Sequence, residues 1–195
     1  MQRCLNIIMR PLQSISLLIL CVTAVMVDAA SLQPHAVARL TFHDVDGNTL
    51  STADGHVTII TVVTRQNEEQ AHSIADQVPE RCVADPKFRY VTLVNFQRKL
   101  AAPFQGLTRV IIRQRLDAEA QKLRPEYQQK KISRDPRKDM FVVADFDGSA
   151  VSQLGLSPDL NDVAVFVFNG HGKLIQHWTG VPPNDSLPGA IAAAE

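Results

Sequence analysis

The sequence predicts an α/β fold, in which helices cover both faces of a central mixed sheet and a short hairpin precedes it. Apolar, β-branched runs at 56–64, 88–96 and 140–146 are typical of strands buried on both faces. Helical patterns separate these runs, which favours parallel pairing. Two more strands flank a Gly-rich turn at 169–172, which predicts an antiparallel pair at one edge.

The first elements have clear local signatures. Residues 41–50 alternate apolar and polar side chains about an Asp-Gly turn, which predicts the N-terminal hairpin. Apolar residues then recur at helical spacing from 71 to 78. Asn67 can cap this helix, and Glu68 and Glu69 complement the positive end of its dipole.

The later helices are predicted from the same kind of apolar spacing. The pattern at 107–123 predicts a long helix whose apolar side faces the core and which Pro125 kinks or ends. The polar, basic stretch 130–138 predicts a solvated connection. A short helix is expected at 149–156, and a last helix begins near 185–186.

Residues 1–29 have the features of a secretory signal. Two arginines precede an apolar run at 15–27, which is shorter than the ~20 residues that span a bilayer as a helix. Cleavage is expected near Ala29, and an uncleaved anchor is the alternative. The sequence therefore predicts one domain, residues 30–195, that is periplasmic or secreted and has no stable membrane insertion after cleavage.

The chain beyond the signal is nearly neutral, because the signal holds two of the 20 basic and one of the 20 acidic residues. This balance argues against nucleic acid as a partner. Cys4 and Cys21 lie in the signal, so Cys82 has no intramolecular disulfide partner. A lone cysteine is more often a small buried hydrophobe than a reagent, and a reactive thiol is the alternative.

No motif predicts a metal or a cofactor. The six histidines match no zinc or copper spacing. The stretches 44–47 and 145–148 resemble the start of calcium loops, but neither has a closing Glu at the twelfth position, so β-turns are expected. Nucleophile-elbow and phosphate-binding glycine motifs are absent from the sequence.

The stretches "DVDGNTLSTADGHVTIITVVT" and "FVFNGHGKLIQHWTGV" resemble the opening and the closing hairpin of the thioredoxin fold, in the extended TlpA and peroxiredoxin branch. A narrower resemblance is to the YtfJ family of exported bacterial proteins of unknown function. It is carried by "TLVNF", "FVVADFDGSAVSQLGL" and "AVFVFNGHGKLIQHWTG" and covers most of residues 41–182. The resemblance implies a thioredoxin-like fold, and it supplies no agreed catalytic residues.

Two departures from redox-active relatives follow from that resemblance. Their reactive cysteine should fall within 65–70, where this chain has none. The cis-proline that faces the cysteine should lie just before the strand "VAVFVF", where this chain has residues 161–163, and Pro158 is several residues too early. The acidic residues at 68 and 69 would also raise the pKa of a thiol at the helix start.

We therefore expect an exported thioredoxin-like protein without catalytic residues, which binds an unknown envelope protein or a small ligand. Its expected contact residues, the junction surface, are Arg65, Gln66, Asn67, Glu68 and Asp162. The structural alternative is that these residues only cap and solvate the helix start. The enzymatic alternative is a one-cysteine peroxidase or thiol-redox protein, which requires an exposed Cys82 with a lowered pKa. A third possibility is a redox-inert assembly factor in the envelope.

Overall fold

The computed structural model describes residues 32–96 and 102–195, and its elements follow the predicted order. The expected signal segment, 1–29, lies outside the described residues. The strands are β1 (Thr41–His43), β2 (Thr49–Ser51), β3 (Val57–Val63), β4 (Phe88–Asn95), β5 (Phe141–Asp145), β6 (Ala164–Phe168) and β7 (Leu174–Thr179). The helices are α1 (Glu68–Ala75), α2 (Ala102–Gln129), α3 (Ser149–Gln153) and α4 (Ser186–Ala194), with 3₁₀ turns at Glu80–Cys82 and Pro136–Asp139.

The central sheet is mixed and has the strand order β5-β4-β3-β6-β7, while β1 and β2 form a separate hairpin. β3, β4 and β5 are parallel, and β6 runs antiparallel to β3. Ala164, the first residue of β6, pairs with Val62 near the end of β3. The loop that precedes β6 therefore arrives at the sheet edge where the three parallel strands end.

Both faces of the sheet are covered, because all seven residues of β3 are buried. On one face Ile60 and Val62 belong to a core with α3 and the N-terminal hairpin. On the other face Ile59 and Val63 belong to a core with α1 and α4. Burial of each such aliphatic side chain contributes roughly 1.5–3 kcal/mol to the stability of the fold. The predicted arrangement of a mixed sheet between helical layers is confirmed.

Pro125 was predicted to kink or to end α2, and the second alternative is wrong because the helix continues to Gln129. A proline inside a helix loses one backbone hydrogen bond and costs roughly 3 kcal/mol. Packing beyond the proline offsets this cost, because Tyr127 is buried and its hydroxyl donates to Asp139 Oδ2 at 3.0 Å. The predicted core side of α2 is confirmed, since Ile112 and Leu116 are half-buried and Ala120 is buried.

The stretch 130–138 is not a simple solvated connection. Three of its five cations lie against acidic side chains of the 3₁₀ turns, the hairpin and α2. The pairs are Lys130 with Glu80 and Glu126, Arg134 with Asp139, and Arg137 with Asp46 and Asp117. Sequence reasoning missed these partners because most of them lie far away along the chain.

Candidate functional site

The junction surface lies where β3 ends and α1 begins. Thr64 and Asn67 are buried there, while Arg65, Gln66 and Glu68 are exposed. The backbone N–H of Gln66 donates to Thr64 Oγ1 at 3.2 Å, which closes a tight turn after the strand. This turn presents the side chains of Arg65 and Gln66 to solvent at the carboxyl edge of the sheet, where ligands of open α/β sheets commonly bind.

Asn67 connects this turn to the loop before β6. Its side chain is only 5% exposed. The Thr64 N–H donates to Asn67 Oδ1 at 2.7 Å, and Asn67 Nδ2 donates to the Asn161 carbonyl at 3.2 Å. One amide of the predicted site, that of Asn67, therefore connects the junction at 65–69 to the loop before Val163.

The prediction that Asn67 caps α1 is confirmed for the position of the residue, but its side chain does not bind the helix start. Asn67 does occupy the cap position, and its backbone carbonyl accepts from Ala71 N–H at 3.1 Å. No helical N–H donates to its side chain. The reason is competition, because the side-chain oxygen, which is the only possible acceptor of a helical N–H, already accepts from Thr64 N–H.

The exposed members of the junction surface are free to meet a ligand. Within the described ranges, the side chains of Arg65, Gln66, Glu68 and Asp162 form no hydrogen bond or ion pair. A guanidinium offers five donors in a fixed fork, and a primary amide both donates and accepts. The arrangement can therefore bind polar or charged groups, but it offers no thiol for covalent chemistry.

Two buried polar residues that sequence reasoning missed hold the neighbouring strand ends. Asn95, at the end of β4, donates from Nδ2 to the Pro158 carbonyl at 2.8 Å. Asp145, at the end of β5, accepts from Gly148 N–H at 2.9 Å and from Val151 N–H at 2.8 Å. Burial raises the pKa of the Asp145 carboxyl. The stretch "DFDGS" could have indicated the role of Asp145, because an aspartate before a helix often accepts hydrogen bonds from the first N–H groups of that helix.

A cavity of about 230 Å³ opens beside Asp145 at the end of β5. Its polar lining includes His43, Gln105, Arg109, Asp147 and Ser149. Hydrogen bonds from Ser149 hold the pKa of Asp147 below its ordinary value. Because β3 and β5 are parallel to the same neighbour, this cavity and the junction surface lie at the same edge of the sheet.

The predicted turn at 44–47 uses its acidic side chain internally. Asp44 Oδ1 accepts from the N–H groups of Asp46 and Asn48 at 2.9 and 2.7 Å, and Oδ2 accepts from Asn48 Nδ2 at 2.9 Å. Such an arrangement stabilises a turn. In the part of the chain that the structure describes, no group of three or more His, Cys, Asp or Glu side chains could hold a metal ion.

Cys82 lies in the 3₁₀ turn that follows α1 and is 7% exposed. Burial raises the pKa of its thiol, although Arg81 acts in the opposite direction. Arg81 forms an ion pair with Glu195. The two conditions for a reactive thiol, exposure and a lowered pKa, are therefore not met at this position.

Within residues 32–96 and 102–195, none of the helices combines the length and the apolar character needed to cross a membrane.

The architecture is similar to that of solved thioredoxin-like proteins. A peroxiredoxin-like protein from Aquifex aeolicus has a TM-score of 0.50 at 13% identity, with 85% of this chain and 89% of that chain covered. A proposed electron transfer protein from Aquifex aeolicus VF5 has a TM-score of 0.51 at 13% identity, with 85% of this chain and 95% of that chain covered. The C-terminal domain of a proposed thiol-disulfide oxidoreductase from Bacteroides thetaiotaomicron has a TM-score of 0.50 at 11% identity, with 83% of this chain and 95% of that chain covered.

At such identities the likeness shows the fold alone, and this chain has a thioredoxin-like α/β fold. No protein-family model matches the sequence, and no curated protein matches it either. The narrower resemblance to the YtfJ family therefore stays a prediction.

Proposed function

We propose that this chain is an exported, YtfJ-like protein that uses a thioredoxin fold for binding and performs no thiol chemistry. Its partner is an envelope protein or a small ligand, bound at the junction surface. The observation that carries this proposal is the position of Asn67. Its buried amide joins the two segments that form the substrate seat in redox-active relatives, and a cysteine is absent from both.

The electrostatics of the junction support binding without redox activity. Arg65 places a cation beside the acidic first turn of α1, which contains Glu68 and Glu69. Acidic residues at a helix start oppose thiolate formation, because they cancel the favourable end of the dipole. The same mixture of an exposed cation, an amide and carboxylates suits a polar partner surface.

The enzymatic alternative, a peroxidase using Cys82, has no supporting observation among the described residues. Its thiol is buried, and burial raises its pKa. Cys82 also lies seven residues beyond the end of α1, whose eight residues alone span about 12 Å.

The proposal is tested by capture of partners from an envelope extract on immobilised protein. Arg65→Ala with Gln66→Ala removes exposed groups and leaves Asn67 in place. We expect the recovered partner to decrease at least about tenfold, because each lost hydrogen bond is worth roughly 1 kcal/mol. The matched control is Arg124→Ala with Gln128→Ala, which makes the same chemical changes at exposed positions of α2. Equal capture by both double variants would contradict the proposal.

A further inference from the structure

The first half of α2 exposes large apolar side chains. Phe104 and Leu107 are 61% and 58% exposed, and Val110 and Ile111 are 40% and 42% exposed. Residues 104, 107 and 111 have the spacing of one helix face. We call these four residues the α2 ridge.

The ridge is not the side by which α2 packs on its own domain. Ile112 and Leu116 are half-buried and Ala120 is buried, and at 100° per residue they lie on the side opposite to Leu107 and Ile111. The helix therefore has two apolar sides, and only one is covered by the protein. Contiguous exposed apolar patches mark interaction sites.

Positive charge flanks the ridge on both sides. Arg113 lies one turn beyond Val110, and Arg115 lies one turn beyond Ile111. Between 102 and 116 the sequence has three arginines and no acidic residue. The third, Arg109, lies over the Phe146 ring at 4.9 Å from its centroid.

These arginines differ from the cations of the second half of α2. Lys122 pairs with Glu119, and Arg124 lies 3.9 Å from Asp135. By contrast, Arg113 and Arg115 form no ion pair with any residue in the described ranges. The cations beside the ridge are thus left for an anionic partner outside the domain.

We propose that the α2 ridge binds peripherally to an anionic phospholipid surface. A helix with aromatic and aliphatic side chains on one side and arginines along its margins lies in the interfacial plane of a membrane. Its apolar side chains enter the headgroup boundary, and its arginines contact the lipid phosphates. A convex row on a single helix suits a planar, deformable surface, since it needs no complementary groove. This surface shares no residue with the junction surface.

The test uses the chain from Ala30, which contains both hydrophobic cores and lacks the N-terminal apolar run. Its binding to phosphatidylglycerol vesicles and to phosphatidylcholine vesicles is measured by co-sedimentation at low and high salt. We expect binding to the anionic vesicles that weakens with salt. Arg113→Gln and Arg115→Gln should each lower the partition coefficient about fivefold. Leu107→Ser with Ile111→Ser should lower it at least about tenfold.

Two matched controls separate the ridge from general surface effects. Arg124→Gln removes the same charge from the second half of the same helix. Val37→Ser with Val83→Ser removes exposed apolar side chains elsewhere, where the exposed fractions are 62% and 42%. Both controls should bind anionic vesicles as the parent chain does, and circular dichroism checks that every variant is folded.

Absence of vesicle binding would overturn the proposal, as would equal binding to both lipid compositions. Light scattering on the protein alone tests a second copy as the occupant, and titration with an acidic amphipathic peptide tests a protein partner. A dimer that Leu107→Ser dissociates, without vesicle binding, would assign the ridge to a second copy. Binding only to an acidic amphipathic peptide would assign it to a protein partner. Either result would also overturn the lipid assignment.

Discussion

The side-chain nitrogen of Asn67 donates a hydrogen bond of 3.2 Å to the backbone carbonyl of Asn161, 94 residues further along the chain. The oxygen of the same amide accepts from Thr64 N–H at 2.7 Å. One side chain thus satisfies backbone groups in two separate segments at the carboxyl edge of the sheet. The buried Thr64 N–H would be costly to leave without an acceptor, so this amide holds the turn after β3 next to the loop before β6.

We expect Asn67→Ala to lower the free energy of unfolding by about 1–3 kcal/mol, because the buried Thr64 N–H loses its acceptor and the hydrogen bond to the Asn161 carbonyl is lost. Chemical denaturation measures the change. Gln66→Ala is the neighbouring control and should stay within about 0.5 kcal/mol, since its side chain is exposed. A fully stable Asn67→Ala would mean that this amide does not hold the junction.

Cys82 should react slowly with alkylating reagents in the folded protein. The thiol is buried and its pKa is raised by burial, so the thiolate fraction is small at neutral pH. Alkylation measured by mass spectrometry across a pH series should have a higher apparent midpoint in the folded chain than in denaturant. Peroxide consumption with dithiothreitol should be absent. Turnover that disappears in Cys82→Ser would instead assign the chemistry to this thiol.

Arg89 is a buried cation whose charge is balanced by Asp54. It is 8% exposed, and its Nη1 donates to Asp54 Oδ2 at 2.8 Å and to the Ser51 carbonyl at 3.2 Å. The guanidinium carbon also lies 5.5 Å from the centroid of the Phe141 ring. Removing the acid leaves a buried charge without its partner, whereas removing the cation leaves an acid that water can still reach.

Asp54→Asn should therefore destabilise the protein more than Arg89→Met does. We expect Asp54→Asn to lower the free energy of unfolding by about 2–4 kcal/mol. This value is smaller than for a fully buried pair because Asp54 is partly exposed. Arg89→Met should cost less, since the methionine fills much of the same space. Denaturant unfolding of both variants measures the order, and the reverse order would show that the ion pair does not govern this site.

Asp54 also predicts an acid dependence of stability. Burial acts to raise its pKa, but hydrogen bonds from His56 and Arg89 outweigh that effect and hold the pKa below its ordinary value. The folded state thus favours the ionised carboxyl, so its contribution is present above the unfolded pKa and is lost as pH falls through the folded pKa. The free energy of unfolding should therefore fall less steeply with decreasing pH in Asp54→Asn than in the parent chain. An equally steep fall in both proteins would exclude this contribution.

Gly148→Ala should be more destabilising than Gly47→Ala. Both glycines have left-handed backbones, with φ of +79° and +88°, and alanine there costs roughly 1–2 kcal/mol. At Gly148 the added Cβ would lie 2.9 Å from Pro158 Cβ and Cγ, whereas at Gly47 nothing lies within 4 Å. The crowding should add about 1–3 kcal/mol at Gly148. Thermal unfolding compares the two variants, and equal losses would show that Pro158 moves aside freely.

Local patterns predicted most of the fold. The strand β3 lies within its predicted range, and the N-terminal hairpin extends one residue beyond its predicted range, to Ser51. Both were predictable because alternation and β-branched runs reflect burial directly. Pro125 shows where this reasoning fails. Its local preference is to end a helix, but burial of Tyr127 in the next turn outweighs that preference. The roles of Asn95 and Asp145 were missed, because the strand pattern does not reveal which loop each side chain holds.

The sequence by itself determined the order of strands and helices and the lack of a cysteine at 65–70, because both are local properties of the chain. Only the tertiary structure decided that Asn67 binds Asn161, that Arg89 lies against Asp54, and that Cys82 is buried. It also decided which side of α2 is left uncovered. Periodicity shows that an element has an apolar side, but contacts between distant segments depend on how the elements pack together.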